Sequence, residues 1–488
     1  MVRNDTLAQA GIQCARKREG EARGGALVDI REFGAKGDGV ADDTAALRAA
    51  LAAAEERGGD TVPLTPGIWR TGPLRLGSGV RLRVEEGATL SFIPRFELYP
   101  AVRTRWEGVE CWGHHPLLFA SGATDIALSG GGTLDGNGQA WWAAYRAARA
   151  AGRRMPETAA ERELAALNTG FESQPSGGGG RELQFLRPPL VQFFDCSRVR
   201  IEDVGLVNSP FWNTHLVYCA DILVSGVRFS NPPDAPNTDG LDLDSCRDAL
   251  VRDCDFDVGD DCLGLKSGSG EDGLRVGRPT ERVAVRGCTL RAGHGGVVVG
   301  SETAGGVRDV EISDCRFLAT ERGLRIKTRR GRGGAVENIS LRDCVMTDVL
   351  CPLVVNCWYG PGGPPASDPL FSLSARPVDA WTPRVRGIRV QGLRASGCRA
   401  SAGFAVGLPE SPIEGLEILD SSFCIAREGL VSPDLAAMSR GLPPAAGRGI
   451  RLRNVRGLRV ARVTVTSETE GGDPGRTLEI EEGVAPMD

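Results

Sequence analysis

The sequence predicts an all-β protein whose strands wind into a right-handed parallel β-helix. A strand-like phrase of six residues recurs from about residue 190 onward, and its first six copies are 23 to 34 residues apart, which is typical of a solenoid. The short strands that follow these phrases align in two apolar columns. The composition agrees, because 66 glycines and only 6% aromatic residues indicate many turns and short strands rather than a helical bundle.

The repeated phrase alternates apolar and polar letters, as a half-buried strand does. Its copies are IEDVGL (201–206), VSGVRF (224–229), VRDCDF (251–256), VRGCTL (285–290), ISDCRF (312–317) and LRDCVM (341–346), with weaker copies VQGLRA (390–395), ILDSSF (418–423) and VARVTV (460–465). Equivalent positions of a solenoid stack into ladders, so the fourth letters should form an interior column. That column contains Cys254, Cys288, Cys315 and Cys344. Thiols one coil apart form a line and not the tetrahedron of a zinc site, so we predict structural thiols.

Two helical segments interrupt the strand pattern. In ADDTAALRAALAAAEERGGD (41–60), Asp42 or Asp43 can cap a helix and Gly58 can end it. We expect this helix, over 43–57, to cover the open N-terminal end of the solenoid. The second patch combines AWWAAYRAARAAGRR (140–154) with ETAAERELAALN (157–168).

The predicted organisation is one catalytic solenoid domain over 28–470, with tails at 1–27 and 471–488. Loop insertions are expected near 141–186, 267–280 and 360–380. The glycine run SQPSGGGG (173–180) predicts a flexible loop and not a phosphate cradle, because no Lys-Ser/Thr pair follows it.

Charge and composition limit the partners. A net charge of −5 gives no basic footprint for nucleic acid, and no apolar run reaches membrane-spanning length. The first 25 residues lack the apolar centre of a signal peptide, so we expect a cytoplasmic protein, or a secreted or periplasmic one if the start is mis-assigned. Fourteen cysteines in such a chain indicate buried thiols rather than disulfides.

The two apolar columns give a register for the acidic residues. Asp239 then lies one coil from Asp261, and Asp260 lies one coil from His294. Because neighbouring strands are about 4.8 Å apart, these four residues should converge at one edge of the solenoid. The columns are Leu241, Leu263, Val297 and Leu324, followed by Leu243, Leu265, Val299 and Ile326.

A positively charged surface is predicted beside these acids. Arg325 and Lys327 flank Ile326, so on a strand both point outward on the same face, near Lys266. Further cations in the same region are Arg322, Arg329, Arg330 and Arg332. A cationic surface suits an anionic sugar chain better than a neutral one.

Carboxylates this close cannot all ionise cheaply, so one should keep its proton to a higher pH than a free Asp. One protonated carboxyl beside ionised ones is what glycosidic bond hydrolysis requires. Each motif alone has a simpler interpretation: Asp-Gly and Gly-Asp-Asp are common turn sequences, a histidine between glycines is usually a loop residue, and outward cations are usually only solvated. Their alignment on consecutive coils favours a site.

The sequence resembles glycoside hydrolase family 28, the polygalacturonase family, in four motifs that occur in order. These are Asn237-Thr238-Asp239, Gly259-Asp260-Asp261, Gly293-His294-Gly295 and Arg325-Ile326-Lys327. Four further stretches look like bacterial members: FGAKGDGVADDTAAL (33–47), RWEGVE (105–110), GGGTLDGNGQAWW (130–142) and RPPLVQF…NSPFWNTH (187–215). The resemblance covers roughly 28–465 and implies a pectin-lyase-like solenoid.

The resemblance implies an inverting hydrolase of α-1,4-linked galacturonate in pectin. Asp260 would then be the general acid, and Asp239 and Asp261 would activate the water. His294 would hold the hydrogen-bond network of the acid. Arg325 and Lys327 would bind the uronate carboxylate, which Arg can do with two hydrogen bonds.

The remaining candidate substrate contacts are less specific. Tyr359, in NCWYG (356–360), matches a substrate-binding tyrosine or is a packing residue, and His215 either contacts a chain end or is packed. Asn237 and Lys266 complete the predicted substrate-binding set. Leu241 and Leu243 should point inward, which leaves Asp242 and Asp244 outward on the groove strand as possible substrate or loop contacts. No metal ion and no cofactor are expected.

Departures from the family pattern bear on the substrate. GSGEDGLRVGRPTE (267–280) forms an extra loop at the cleft, and GPGGPPASDP (360–369) is another candidate lid. Loops that wall one end of a groove convert internal cleavage into release from chain ends, so we expect an exo-acting enzyme. Because we expect a cytoplasmic location, we expect short imported oligogalacturonides rather than intact pectin as the substrate. Alternatives are a hydrolase of rhamnogalacturonan or another decorated pectin, and a non-catalytic polysaccharide-binding β-helix. A further alternative is a polyuronate lyase whose Ca²⁺ lies at Asp239, Asp242 and Asp244, although Arg325-Ile326-Lys327 and the Asp-Asp pair suit hydrolysis better.

Overall fold

The computed structural model describes residues 27–153, 155–169, 186–360, 367–468 and 476–487. Within these ranges the chain forms a right-handed parallel β-helix, which confirms the predicted fold class. The predicted glycine-run loop at 173–180 lies outside the described residues, as do most of the two tails and residues 361–366 of the predicted lid.

One parallel sheet, which we call the site sheet, carries the candidate catalytic residues. In the described part of the chain it has twelve strands, one from each coil. They are Leu74–Arg75, Leu118–Ser121, Val191–Phe194, Thr214–Val217, Leu241–Asp244, Asp261–Lys266, Gly295–Gly300, Arg322–Lys327, Cys351–Asn356, Gly403–Val406, Ile450–Arg453 and Leu478–Ile480.

The rest of each coil belongs to a second, longer parallel sheet. Its strands are Asp38–Asp42, Thr61–Leu64, Gly67–Thr71, Arg81–Val84, Ala88–Phe92, Thr124–Ser129, Thr133–Asp135, Ser197–Glu202, Gly205–Val207, Ala220–Ser225, Arg228–Ser230, Arg247–Arg252, Asp255–Val258, Thr280–Arg286, Thr289–Ala292, Val307–Ser313, Arg316–Leu318, Ala335–Arg342, Val345–Thr347, Arg384–Gln391, Arg394–Cys398, Ile413–Ile425, Val455–Arg456 and Arg459–Ser467. A separate antiparallel hairpin pairs Ala101–Trp106 with Val109–His114. The α-helices are Thr44–Glu56, Gln139–Ala150, Ala159–Leu167, Gly270–Val276 and Pro433–Ala437, and 3-10 turns are Ile30–Phe33, Phe96–Leu98 and Pro369–Phe371.

The predicted register is confirmed. Leu241 pairs with Leu263, Leu263 with Val297, and Val297 with Leu324 on successive strands. Both apolar columns lie in the main hydrophobic core, with side chains at most 1% exposed. Thus the alternation of apolar letters does set which face of each strand points inward.

The third letter of the repeated phrase turns the chain between two strands. Asp203, Asp253, Asp314 and Asp343 occupy this position with positive φ angles of 52° to 58°. Gly226, Gly287 and Gly392 occupy it in other copies with φ angles of 63° to 68°. Asp and Gly are among the residues that tolerate the left-handed region, so the backbone explains this letter of the repeat.

The thiol ladder is interior, as predicted. All thirteen cysteines of the described residues are free, and all but Cys424 are buried. Cys254, Cys288, Cys315 and Cys344 succeed one another on neighbouring coils, where the thiols of Cys288 and Cys315 also point towards backbone carbonyls of the coil before. They pack as small apolar residues.

The N-terminal helix Thr44–Glu56 packs on the first coils of the solenoid, as predicted. Leu47, Ala50 and Ala54 are fully buried against them. Asp43 is the N-terminal cap residue of the helix but makes no capping hydrogen bond through its side chain, whereas Oδ1 of the preceding Asp42 accepts the N–H of Thr44 at 3.0 Å. No helix among the described residues is long and apolar enough to cross a membrane.

Candidate active site

The three predicted catalytic aspartates meet at one edge of the site sheet. Asp239 precedes the strand Leu241–Asp244, and Asp260 and Asp261 stand at the start of the next strand. The backbone N–H of Gly240 donates to the carbonyl of Asp261 at 3.0 Å. One carboxylate oxygen from each aspartate lies within 4.8 Å of the other two, as the register predicted.

The glycines of the motifs allow this close approach. A Cβ on Gly259 would lie 2.7 Å from the carbonyl oxygens of Pro232 and Ala235. A Cβ on Gly293 would lie 2.6 Å from the carbonyl oxygen of Asp260, and Gly293 has a φ angle of +67°. These positions therefore require glycine to keep His294 beside Asp260.

His294 pairs with Asp260 at the open side of the site. Its Nδ1 lies 3.2 Å from Oδ1 of Asp260, and their side chains are 50% and 19% exposed. The hydrogen bond to Asp260 raises the pKa of His294. Burial alone would raise the pKa of Asp260, but the hydrogen bond and the charge of His294 hold it below its usual range.

Asp261 is held in its ionised form by the predicted cation pair. Lys327 Nζ lies 2.5 Å from Oδ2 of Asp261, and Arg325 Nη1 lies 3.4 Å from Oδ1. Burial favours the protonated form, but Lys327 and Arg325 outweigh it and hold the pKa of Asp261 well below its usual range. The charge of Asp261 in turn contributes to a raised pKa of Lys327, against the effect of burial.

Asp239 is the aspartate of the three whose pKa is raised. Burial, followed by the charges of Asp242 and Asp260, raises its pKa well above the usual range. The expectation that one carboxyl of the cluster stays protonated thus applies to Asp239 in this arrangement, whereas the predicted general acid was Asp260.

Lys266 lies beneath the acids and is only 3% exposed. Its Nζ is 3.6 Å from Asp239, 3.3 Å from Asp242 and 3.7 Å from Glu302. These carboxylates, led by Asp242, outweigh burial and raise the pKa of Lys266 well above its usual range. Because its charge is already compensated, Lys266 is not the open substrate contact that the sequence predicted. Glu302 was missed by sequence reasoning.

Asp242 is buried against Lys266. It points away from the core, as predicted, yet it is 0% exposed. Burial raises its pKa to about 7 despite the opposing charge of Lys266. Of its two predicted roles, substrate contact or loop contact, the burial of Asp242 therefore contradicts an open substrate contact.

The prediction that His215 contacts a chain end is also wrong, because the side chain is 1% exposed. Its Nδ1 lies 2.9 Å from Nε2 of Gln192, and its Nε2 lies 3.4 Å from Oδ2 of Asp244. Arg105 of the hairpin donates to Oδ1 of Asp244 at 2.9 Å. Asp244 is thus a loop contact, one of its two predicted roles, and the hairpin covers this part of the outer face.

The two other predicted substrate contacts, Asn237 and Tyr359, lie in different surroundings. The Oδ1 atom of Asn237 accepts a hydrogen bond from Arg187 Nη2 at 2.7 Å, so a protein group already binds this amide. Tyr359 is half-buried, and its ring centre lies 5.4 Å from the guanidinium of Arg325 and 5.6 Å from Nζ of Lys327. Tyr359 therefore lies at the cation pair, where a substrate contact was predicted.

The extra loop at 267–280 forms a wall of the site together with the hairpin. It contains the short helix Gly270–Val276, and Asp272 Oδ2 accepts the N–H of Glu110 at 3.0 Å. A second wall, which sequence reasoning missed, comes from residues 427–449; we call this segment the strap. Met438 of the strap places its Sδ 2.9 Å from Nη2 of Arg325.

The fold and the carboxylate cluster can now be compared with known proteins. Residues 178–372 match the model of "Glycosyl hydrolases family 28". A "Probable polygalacturonase" from Vitis vinifera is 28% identical over 454 residues, which cover 90% of this chain and 82% of that protein. An exopolygalacturonase from Thermotoga maritima has 29% identity and a TM-score of 0.72, with 93% of this chain and 96% of that chain covered. A family 28 exopolygalacturonase from Yersinia enterocolitica shares the fold, at 18% identity and a TM-score of 0.66 over 94% of this chain and 78% of that chain.

The chain is a parallel β-helical enzyme, a glycoside hydrolase of the polygalacturonase type. Glycosyl hydrolases family 28 is the family that both the sequence matches and the structural matches support. Plant proteins are among the relatives, so the narrower prediction of a bacterial-type member is not confirmed and stays a prediction.

Proposed function

We propose that this enzyme hydrolyses α-1,4-galacturonosidic bonds at the ends of short pectic oligogalacturonides, with inversion at the anomeric carbon. The observation that carries the proposal is the position of three aspartates within 4.8 Å of one another, directly beside Arg325, Lys327 and Tyr359. The carboxylates thus lie beside two cations that are themselves buried and paired with Asp261, and Lys327, at 7% exposed against 1% for Arg325, is the one more accessible to a uronate. The polygalacturonase names of its relatives point to the same substrate class.

The aspartates divide the chemistry by their environments. Asp260, at the open side with His294, is placed to protonate the leaving oxygen. Asp261 stays ionised beside Lys327 and can take a proton from the attacking water, with Asp239 on its other side. A uronate carboxylate bound near Lys327 adds negative charge, which raises the pKa of Asp260. A proton shared among the three carboxyls can then move from Asp239 to Asp260.

The most specific claim of the proposal is inversion of configuration at the anomeric carbon. Inverting glycosidases usually separate their two carboxyls by about 6.5–9.5 Å, and retaining ones by about 5–5.5 Å. Nearest oxygens within 4.8 Å are closer than the inverting range, so inversion rests on the family resemblance and on a water shared by Asp239 and Asp261. Proton NMR of the first products tests it: we expect the β-anomer, and early α-anomer would refute inversion without refuting hydrolysis.

Action at chain ends is supported by the wall on the hairpin side. There the hairpin buries Gln192, His215 and Asp244, all at most 1% exposed, on the outer face of the site sheet. A sugar chain cannot continue over these strands. The exopolygalacturonase from Thermotoga maritima, which is similar over most of both chains, supports the same mode of action.

The assay measures the galacturonate released from digalacturonate, trigalacturonate and polygalacturonate. It also follows the length of the products over time. Asp260→Asn should lose at least about 100-fold in kcat while substrate binding persists, since general acid catalysis contributes about 10²–10⁴-fold. Asp257→Asn is the matched control, because Asp257 is an exposed aspartate on the preceding strand. Near-normal turnover of Asp260→Asn would contradict the assigned role.

A calcium-dependent polyuronate lyase is the second candidate, favoured by the clustering of three carboxylates. Against it, Lys266, Arg325 and Lys327 already balance these carboxylates, and Ca²⁺ takes six to eight oxygen ligands. An unsaturated product that a chelator abolishes would establish the lyase. Faster hydrolysis of rhamnogalacturonan than of oligogalacturonate would establish a decorated pectin as the substrate.

A further inference from the structure

The strap closes the site on the side opposite the hairpin. It connects the strand Ile413–Ile425 to the site-sheet strand Ile450–Arg453 and folds back over the outer face of the site sheet. Arg322 Nε donates to the carbonyl of Ala436 at 2.5 Å, and Asn356 Nδ2 donates to the carbonyl of Ala437 at 2.9 Å. Both donors are buried side chains of the site sheet.

An ion pair between Asp434 and a buried arginine anchors the strap. Asp434 accepts a hydrogen bond from Arg451 Nη1 at 2.5 Å and from the N–H of Ala445 at 2.8 Å. Arg451 is an outward residue of the site sheet, yet it is only 1% exposed. Arg451 Nη2 also donates to the carbonyl of Pro443 at 2.7 Å, so two points of the strap are tied to one guanidinium.

Met438 lies where the strap meets the cation pair. Its backbone has a φ angle of +55°, in the left-handed region that costs a non-glycine residue about 1–2 kcal/mol. Its carbonyl accepts the N–H of Gly360 at 3.1 Å, next to Tyr359. This conformation directs the thioether onto Arg325, 2.9 Å from Nη2.

The strap and the hairpin together limit the length of the site. Beyond Arg325, the outward residues Val354, Phe404 and Val406 are 0% exposed. The two walls lie over Asp244 and over Arg325, on strands that are three spacings or about 14 Å apart. A sugar chain that lies along the sheet has no path past either wall among the described residues.

We propose that Met438 and the strap are a length-determining wall, and that the natural substrate is a di- or trigalacturonate rather than a pectin polymer. This rests on the proposed function, since it names the substrate length of the same site. Met438 occupies the space above Arg325 into which a longer chain would extend.

The first test compares kcat/KM, per mole of chain ends, for digalacturonate, trigalacturonate and polygalacturonate. The value for the polymer should be at least tenfold lower than for the better oligomer. If kcat/KM per chain end for the polymer equals or exceeds that for the oligomers, the strap is not a length-determining wall. Absence of galacturonate release from all three substrates instead overturns the proposed function, so the two failures are distinguishable.

The second test opens the wall in two ways. Met438→Ala removes the thioether, and Asp434→Ala releases the anchor at Arg451; each should raise the ratio of polymer to dimer kcat/KM at least threefold. Leu435→Ala is the matched control, because Leu435 lies in the same helix but is 70% exposed, and its ratio should stay unchanged. Thermal unfolding verifies that each variant is folded. If either folded variant keeps activity with an unchanged ratio, the strap does not set the length.

Discussion

Replacing Asp242 with Asn should flatten the dependence of stability on pH. Asp242 is fully buried, and its pKa rises from an ordinary value of 3.8 to about 7. Between these values the folded protein keeps the proton on Asp242 while the unfolded chain has lost it. The free energy of unfolding therefore falls as pH rises through this window, by about 1.4 kcal/mol per pH unit.

The expected loss of stability depends on how much of the pH range between the two pKa values the experiment covers. From pH 5 to pH 8 the titration of Asp242 covers about two pH units, or about 3 kcal/mol of lost stability. Globular proteins have an unfolding entropy of about 2.1 cal/mol/K per residue, which gives about 1 kcal/mol/K for 488 residues. The wild-type Tm should thus fall by about 3 °C more than that of Asp242→Asn between these two pH values.

The assay is thermal unfolding followed by circular dichroism at pH 5 and pH 8. Asp253→Asn is the matched control, because the side chain of Asp253 is 61% exposed and Asn also tolerates its positive φ angle. The control should show the wild-type dependence on pH. If Asp242→Asn shows that same dependence, Asp242 does not keep a proton at pH 5 and the reasoning from its burial is refuted.

Three further variants test the groups around the aspartates. Lys327→Ala should raise KM for oligogalacturonides at least about tenfold, since about 1.4 kcal/mol of binding corresponds to that factor; hydrolysis of neutral galactosides as fast as uronates would contradict the cationic role. His294→Asn removes the hydrogen bond that lowers the pKa of Asp260, so the alkaline limb of the kcat/KM profile should move to higher pH, and an unmoved limb would contradict it. Arg105→Ala leaves Asp244 buried without its cation and should cost about 3–5 kcal/mol in urea unfolding; a loss under 1 kcal/mol would contradict it.

The sequence predicted the coil and the convergence of the acids because both depend on local alternation. Leu241 and Leu243 point inward, and a one-residue slip would move them to the opposite face. Once these columns are aligned, the neighbours of Asp239 and Asp260 on the next coil follow from strand spacing. The alternation does not explain the third letter of the repeat, because Asp or Gly there is required by a positive φ angle of the backbone.

The same alternation could not predict what covers the outer face. It correctly turned Asp242 and Asp244 away from the core, but it carried no information on Arg105, which reaches Asp244 from 139 residues away. Likewise Arg322 meets Ala436 across 114 residues. Such contacts come from segments outside the repeat, so an outward residue could be judged open or buried only from the structure.

The chemistry and the substrate length of this site therefore have different origins. The acids and the cation pair lie on consecutive strands, so the coil sets their spacing, and any chain with these motifs on these strands would reproduce it. The hairpin and the strap enter from outside the repeat and each cover outward residues of the site sheet, one through Arg105 and the other through Asp434 and Met438. A change in either wall leaves the spacing of the aspartates intact. Substrate length can thus change without loss of the carboxylate cluster. For this reason the ratio of kcat/KM for polymer to kcat/KM for dimer, and not total activity, reports on the strap.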